Sequence, residues 1–521
     1  MAGLSYKLIV GLEIHVQLST STKMFCGCAL SFGEQANSRV CPVCLGMPGA
    51  LPVMNKQAIE YAVLVATLLN CRIAGFTKWD RKSYYYPDLP KNYQISQYDL
   101  PLGSEGFLEI LLETGQSKRI RIRRVHLEED AGKNLHTAGN YSQVDLNRAG
   151  TPLLEIVTEP DMNSPAEVRA VAVELQRIVR YLGVSEADMQ KGHMRFEPNV
   201  NLEINKKLST TGDFLPEQAK GTLIFAGQTL RSAQGDSPEM ESTQYKTPIV
   251  EVKNLNSFRA LEKSVAFEIN RQLDEFLQSG NTMQSGNKST RGWDDIKEVT
   301  VLQREKEEAH DYRYFPDPDL VPVQITEQWL TDVKAGLCEL PLKRQLRYVQ
   351  EYKLSNYDAG VLTAERATAD FFDAVVQSGG EPKRVCNLLT QVGLRLANEK
   401  GCTIGELGLA VPDVAELAKM IEGGIVSATA GSTILEHIVT TGRKPDVLAK
   451  ELNLIQKSDA GELEAIVEQI IAENPKAVED VTAGGKKSQK ALGFLLGQVM
   501  QKTKGQANPK IVSEILSKKL G

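Results

Sequence analysis

Apolar and polar residues alternate along several stretches of the chain, and a period of two predicts strands. From Lys7 to Leu18, the residues Leu8, Val10, Leu12, Ile14, Val16 and Leu18 fall on one face. Ile9, Gly11, Glu13, His15 and Gln17 fall on the other. Met194 to Ile204 repeats the design, with Phe196, Pro198, Val200, Leu202 and Ile204 opposing Arg195, Glu197, Asn199, Asn201 and Glu203. Val250 and Val252 oppose Glu251 and Lys253. Arg119, Arg121 and Arg123 share a face and lead into His126-Leu-Glu128-Glu129-Asp130, and Glu155 stands between apolar neighbours. A face so completely apolar belongs on a core. Helical periods run near 55–70, near 164–182 behind Ser164-Pro165, and over about 257–278. Residues 206–245 have little periodicity and read as an excursion. Helical patterns dominate from about 324 onward.

These elements predict an α+β fold. An N-terminal antiparallel-sheet cradle is expected over 1–323, an all-α helical domain over 324–410 and an α-helical tail domain over 411–521.

The polar faces hold an unusual set. Carboxylates, arginines, a histidine and asparagine recur there instead of the Lys, Thr, Ser and Glu mixture of an ordinary wet face. Carboxylates with a histidine suit a hard divalent cation such as Mg²⁺. Nearby guanidinium groups suit phosphate oxygens. A nucleotide–metal site built on the sheet is therefore expected, with Glu13, Arg195, Asn199, Glu251 and Lys253 facing the nucleotide. The sequence has no G-x-x-x-x-G-K-[ST] loop, so an ATP site would use a different cradle from the P-loop.

Four of the eight cysteines lie close together, as Cys26-x-Cys28 and Cys41-Pro-Val-Cys44. Two close pairs joined by a loop predict four thiolates around one tetrahedral Zn²⁺. Such a closed shell is structural, a clamp on a loop beside the sheet.

Composition narrows the class. Hydrophobic residues are 42% and charged residues 24%, which excludes a collagenous or disordered chain. No apolar run reaches the roughly 18 residues of a membrane helix, and the N-terminus lacks a secretory pattern. The expectation is a cytoplasmic protein with no membrane partner. The net charge of −6 argues against coating nucleic acid through overall charge. The last 36 residues depart from it, with eight lysines against one acid, Glu514. Lys486, Lys487, Lys490, Lys502, Lys504 and Lys510 are the expected contacts to an RNA phosphate backbone.

Several stretches together resemble a known family. They include Gly11-Leu-Glu-Ile-His-Val-Gln-Leu18, Asp80-Arg-Lys-Ser-Tyr-Tyr-Tyr-Pro-Asp88 and His126-Leu-Glu-Glu-Asp-Ala-Gly-Lys133. Asp145-Leu-Asn-Arg-Ala-Gly-Thr-Pro-Leu-Leu-Glu155, Glu251-Val-Lys-Asn-Leu-Asn-Ser-Phe258 and Lys490-Ala-Leu-Gly-Phe-Leu-Leu-Gly-Gln-Val-Met500 follow in order. The chain resembles the B subunits of the glutamyl/aspartyl-tRNA amidotransferases. That resemblance implies a cradle similar to glutamine synthetase and the guanidino kinases. It implies ATP- and Mg²⁺-dependent phosphorylation of the side chain of Glu mischarged on tRNA(Gln), or of Asp on tRNA(Asn). It also implies a heterotrimer with an amidase, the A subunit, whose ammonia displaces the phosphate, and with a small C subunit. Carried over by position, Glu13, His15, Lys82, Glu129, Glu155 and Glu197 are the implied catalytic residues, with His15, Glu129 and Glu155 on Mg²⁺. Alternation alone does not choose between Glu128 and Glu129. Many members read Arg-Cys-Asp-Ala-Asn where this chain has Arg195-Phe-Glu-Pro-Asn199, which lengthens the carboxylate by one methylene at Glu197.

Overall fold

The structure is a computed structural model that describes residues 4–136, 141–207, 242–284, 287–306, 312–456, 460–482, 486–503 and 507–520. Most of the expected excursion at 206–245 lies outside them. The chain divides into two compact units, Met1–Leu342 and Lys343–Gly521. The fold class is mixed α+β, a sheet region followed by helices.

The first unit runs β1 (Leu4–Gln17), α1 (Lys56–Leu68), β2 (Arg72–Ile73), β3 (Phe76–Thr77), β4 (Asp80–Ser83), β5 (Tyr93–Ser96), β6 (Gly103–Leu111) and β7 (Ser117–Glu129). It continues through β8 (Lys133–His136), β9 (Ser142–Asp145), β10 (Pro152–Thr158), α2 (Pro165–Tyr181), β11 (Met194–Lys207) and β12 (Ser242–Lys246). Last come β13 (Val250–Lys253), α3 (Phe258–Ser279), β14 (Lys288–Asp294), β15 (Val299–Lys306), β16 (Phe315–Pro316), β17 (Val323–Gln324) and α4 (Glu327–Lys334). The main sheet has the order β15-β14-β13-β11-β1-β10-β7-β6-β2, with β12 also on β11. It is antiparallel except between β13 and β14, which run parallel. The crossover between those two is α3.

Ser164 and Ser257 cap α2 and α3 by accepting from the Glu167 and Ala260 N–H groups. With α1, these helices cover one face of the sheet. Leu8, Val10, Leu12, Ile14 and Val16 of β1 and Phe196, Val200 and Leu202 of β11 point into that layer and are essentially inaccessible. Each such side chain contributes about 1.5–3 kcal/mol by burial. A one-residue slip of β1 would expose the whole row and bury Glu13 and His15, so the register is held tightly. Pro198 has no N–H to give, and the ladder from β11 to β13 stops one residue short of it, at Asn199 opposite Glu251.

The second unit is helical: α5 (Pro341–Tyr352, whose first residues belong to the first unit), α6 (Asn356–Leu362), α7 (Arg366–Gln377), α8 (Pro382–Leu388), α9 (Leu394–Lys400), α10 (Val411–Glu422), α11 (Ala428–Thr441) and α12 (Pro445–Glu451). These share one core, from Tyr348 to Ala449. A smaller core, from Leu463 to Leu516, is built by α13 (Ala460–Glu473), α14 (Pro475–Thr482), α15 (Lys486–Lys502) and α16 (Pro509–Leu520).

Within the first unit, Glu174 of α2 is a buried carboxyl that accepts from the Leu342 N–H at 3.2 Å and from Arg177 at 2.8 Å. Burial pushes its pKa up to about 7, against the opposing pull of Arg177. A raised native pKa means stability fully present below the unfolded value of about 4.5 and lost as the pH climbs through about 7. Glu174→Gln keeps the acceptor for Leu342 and removes the charge. The variant should therefore gain on wild type between pH 5 and pH 8, by up to about 3 kcal/mol. Thermal unfolding at the two pH values checks this. A difference independent of pH would show that the carboxyl is ionised throughout.

Candidate active site

The uncovered face of the sheet carries the polar set, and strand register aligns it in rows. His126 of β7 lies opposite Glu155 of β10, Glu155 opposite His15 of β1, and His15 opposite Arg195 of β11. The next row is Arg124, Val157, Glu13 and Glu197. The row after that places Gly11 beside Asn199, and Asn199 beside Glu251 of β13. Neighbouring strands are about 4.8 Å apart, so residues remote from one another along the chain meet.

Their side chains converge on His15. Its Nε2 lies 3.4 Å from Glu128, 3.6 Å from Glu155 and 3.8 Å from Glu13. His126 Nε2 is 3.3 Å from Glu155 and 3.9 Å from Glu128. Glu13, His15 and Glu155 are grouped closely enough to share one cation, as are His126, Glu128 and Glu155. Burial would drive the His15 proton off, but the hydrogen bonds and charges of Glu128 and Glu155 hold its pKa well above the usual histidine range. Glu155 is held well below the carboxylate range, because His126 and His15 outweigh its burial. Glu13 moves the other way, up to about 7, through burial and the charge of Glu155, with His15 opposing. A cluster that crowds acids until one resists ionising has room for more positive charge.

Lys82 hangs over this basin from β4. That strand pairs with β5, which is tied to β7 where Gln94 donates to the Glu129 carbonyl and the Leu127 N–H donates to Gln97. Burial would lower the Lys82 ammonium, but Glu128, Tyr314 and Glu155 raise it above its ordinary value. Its Nζ stands 5.0 Å from the Tyr312 ring centre. Four buried polar atoms on this face lack a hydrogen-bond partner: Glu128 Oε2, His126 Nδ1, Arg124 Nε and Arg195 Nε. An orphaned buried polar atom costs about 1–3 kcal/mol, so four together mark a place where a polar ligand belongs.

The structure corrects one expectation. Glu128, rather than Glu129, joins the cluster. Ile120 and Ile122 face the core, and then Val125 and Leu127 do, so the phase of β7 changes between them. A bulge against β10 at Val157/Thr158 makes that change. Glu129 turns to the opposite side, where it forms an ion pair with Lys91 and accepts from the Ile95 N–H at 3.0 Å. The even-to-odd switch of the apolar residues was the signal for the bulge.

The other expected positions spread along the same face. Arg195 donates to Asp130 at 3.0 Å, and Asp130 also accepts from Gln17 at 2.7 Å. Lys253 donates to Glu197 at 2.7 Å, and Glu251 accepts from Thr290 at 2.8 Å. Arg195 borders the basin in the row of His15, and Glu197, Lys253 and Glu251 lie one or two rows from it. Arg119, Arg121 and Arg123 are turned to the rim, paired with Glu109, Asp161 and Glu159. Arg124 and His126 are the site residues that strand periodicity did not single out.

The four expected cysteines do meet, each sulfur within 4.8 Å of the others, and no disulfide joins them. Cys41 and Cys44 sulfurs are 3.8 Å apart. A tetrahedron with metal–sulfur bonds of about 2.3 Å has edges of roughly 3.8 Å. A hydrogen bond from Cys26 draws the Cys44 thiol below the ordinary cysteine range, the direction that favours a metal-binding thiolate. The loop rests beside the sheet: a Cβ on Gly150 would lie 3.7 Å from Cys44 and 3.8 Å from Glu129.

Of the tail lysines, Lys490 and Lys510 are exposed. Lys502 pairs with Glu473, and Lys519 with Glu468. Lys504 and the side chains of Lys486 and Lys487 lie outside the described residues. Among the described residues, no helix is long and apolar enough to cross a membrane.

Buried carboxylates, imidazoles and cationic side chains gathered on one sheet face are the equipment of an enzyme that moves charged groups. Residues 8–213 and 235–331 match the family described as GatB/GatE catalytic domain, and residues 370–520 match the GatB domain. The B subunit of the aspartyl/glutamyl-tRNA(Asn/Gln) amidotransferase of Carboxydothermus hydrogenoformans is 44% identical over 99% of this chain and 99% of its own. The proteins of the same name from Caldanaerobacter subterraneus and Persephonella marina are 44% and 43% identical, over 99% of this chain and 100% of theirs. The chain belongs to the GatB family, whose members are subunits of the glutamine-dependent amidotransferases, which are carbon–nitrogen ligases.

Proposed function

We propose that the chain uses ATP to activate the side-chain carboxylate of Glu mischarged on tRNA(Gln), of Asp on tRNA(Asn), or of both, and then amidates it. The basin around His15 carries this reading, and the names of the relatives agree with it. A carboxylate resists amidation because its charge repels nucleophiles and its oxygen leaves poorly. In the first step a carboxylate oxygen bonds to the γ-phosphorus, the bond to ADP breaks, and an acyl phosphate forms. Ammonia then bonds to the carbonyl carbon, phosphate leaves with the carbon–oxygen bond electrons, and the nitrogen sheds a proton.

Glu13, Glu128 and Glu155, with His15 and His126 beside them, offer the carboxylate oxygens that Mg²⁺ takes, and the unpartnered Glu128 Oε2 fits that use. The bound ion would neutralise phosphoryl charge. Lys82, kept cationic by its neighbours, orients the phosphoryl oxygens. Arg195, Asn199, Glu197, Glu251 and Lys253 line the path on which the rest of the nucleotide lies, in a cradle of the glutamine synthetase and guanidino kinase kind. The Cys26, Cys28, Cys41 and Cys44 cluster holds Zn²⁺ as a structural clamp. Ammonia comes from the amidase of a heterotrimer, its A subunit, to which a small C subunit is also bound. Lys490 and Lys510, with the helical unit, contact the tRNA backbone in the cytoplasm.

The test is ADP release from the assembled complex with ATP, Mg²⁺ and ammonium. Release that requires Glu-tRNA(Gln) or Asp-tRNA(Asn) supports the reading. Turnover with free glutamate would replace it with a small-carboxylate ligase. RNA binding without ATP consumption would reject catalysis by this basin.

A further inference from the structure

The strand β7 carries four arginines near the basin, and three are accounted for. Arg119, Arg121 and Arg123 lie on the exposed rim, in ion pairs with Glu109, Asp161 and Glu159 at 3.1, 2.6 and 2.8 Å. Arg124 is different. The bulge that changes the phase of β7 leaves Arg123 unpaired between Ile122 and Arg124, and it places consecutive arginines, Arg123 and Arg124, on the uncovered face. Bulges beside active sites commonly re-aim a side chain in this manner. Arg124 is turned toward the cluster, with Nη2 3.5 Å from Glu155 Oε1. That separation exceeds the 2.7–2.9 Å or so of a charge-assisted hydrogen bond. Its Nε is buried and has no partner. The charge of Arg124 also acts on Tyr314, which in turn faces Lys82.

We infer that Arg124 grips the transferring phosphoryl group, first as the γ-phosphoryl of ATP and then as the acyl phosphate. This rests on the ATP-dependent reading above. A guanidinium is a planar fork that matches two phosphoryl oxygens at once, which an ammonium does not. The carboxylates of the basin would repel a bare carboxylate at this place. A phosphoryl group brings several oxygens and accumulates equatorial charge during transfer, where a fixed guanidinium is most effective. Arg124 lies 3.5 Å from Glu155, and the charge of Lys82 acts on Glu155 and Tyr314, so both cations border the same basin. Val157, opposite Arg124 on β10, offers no competing acceptor.

The experiment compares wild type, Arg124→Ala and Arg124→Lys in the assembled complex. Calorimetric titration with Mg²⁺–ATP and Mg²⁺–ADP reads binding, and ADP release with mischarged tRNA reads turnover. A γ-phosphoryl contact predicts that Arg124→Ala weakens ATP by about 10- to 100-fold and ADP by less than about threefold. It also predicts that kcat falls by about 100-fold or more, with unchanged tRNA affinity. Arg124→Lys should recover part of the ATP affinity but little of kcat, because the fork is lost. Equal losses of ATP and ADP affinity, or wild-type turnover in Arg124→Lys, would overturn the assignment and leave Arg124 as a counter-charge to Glu155. Wild type that binds neither nucleotide would instead overturn the ATP reading itself.

Discussion

Glu155→Gln should abolish carboxylate activation while leaving the protein folded and able to hold tRNA. Glu155 touches three groups of the basin: His15 at 3.6 Å, His126 at 3.3 Å and Arg124 at 3.5 Å. It also belongs to both groups able to hold a cation. The amide has the same shape and lacks the charge, so both imidazoles lose the carboxylate that orients them. A fall in kcat of about 10³-fold or more is expected, the size seen when a preorganised charge is removed from a dry site. Affinity for tRNA should stay within about threefold, since the tail lysines are untouched. The β10 ladder does not use the side chain, so the backbone pairing to β1 and β7 remains. Single-turnover ADP formation with Glu-tRNA(Gln) is the measurement. Wild-type turnover in this variant would remove Glu155 from the chemistry.

A pair of adjacent substitutions should separate chemistry from stability. Glu128→Gln removes a carboxylate that faces His15, and kcat should fall by about 100-fold or more. Its Oε2 has no hydrogen-bond partner and Glu155 stays as a counter-charge to His15, so the melting temperature should fall less than in Glu129→Gln. Glu129→Gln does the reverse. It leaves Lys91 without its buried counter-charge, although the Ile95 N–H keeps an acceptor. Breaking one side of a buried ion pair costs about 3–5 kcal/mol, so the melting temperature should drop while turnover of the folded fraction stays within about threefold. If Glu129→Gln silences turnover without loss of stability, and Glu128→Gln is silent in activity, the two roles are exchanged.

These two acids also show where sequence reasoning stops. Period-two alternation placed Glu13, His15, Arg195, Glu197, Asn199, Glu251 and Lys253 on one face, and the structure puts them there, because each strand has an uninterrupted apolar row that only one orientation can bury. On β7 the same rule failed at a bulge, where one additional residue exchanges the faces. The sequence held the clue in the step from Ile120 and Ile122 to Val125 and Leu127, but a strand-by-strand reading assumes constant phase. The charge of the tail is a similar case. Its lysine count is a property of composition, whereas Lys502 and Lys519 are partly neutralised by Glu473 and Glu468 from an earlier helix of the same core.

The chain's own order of residues determined its helix starts, its strand faces and the closeness of its cysteine pairs, because caps, alternation and short loops act within a few residues of one another. Folding in three dimensions decided which strands are neighbours and in what register, and hence that Glu13, Glu128 and Glu155 surround His15. It also decided which arginine turns inward, and which lysines have partners. Those outcomes depend on contacts between residues far apart along the chain. Local patterning carries no record of such distances, and only the burial of one shared core selects among them.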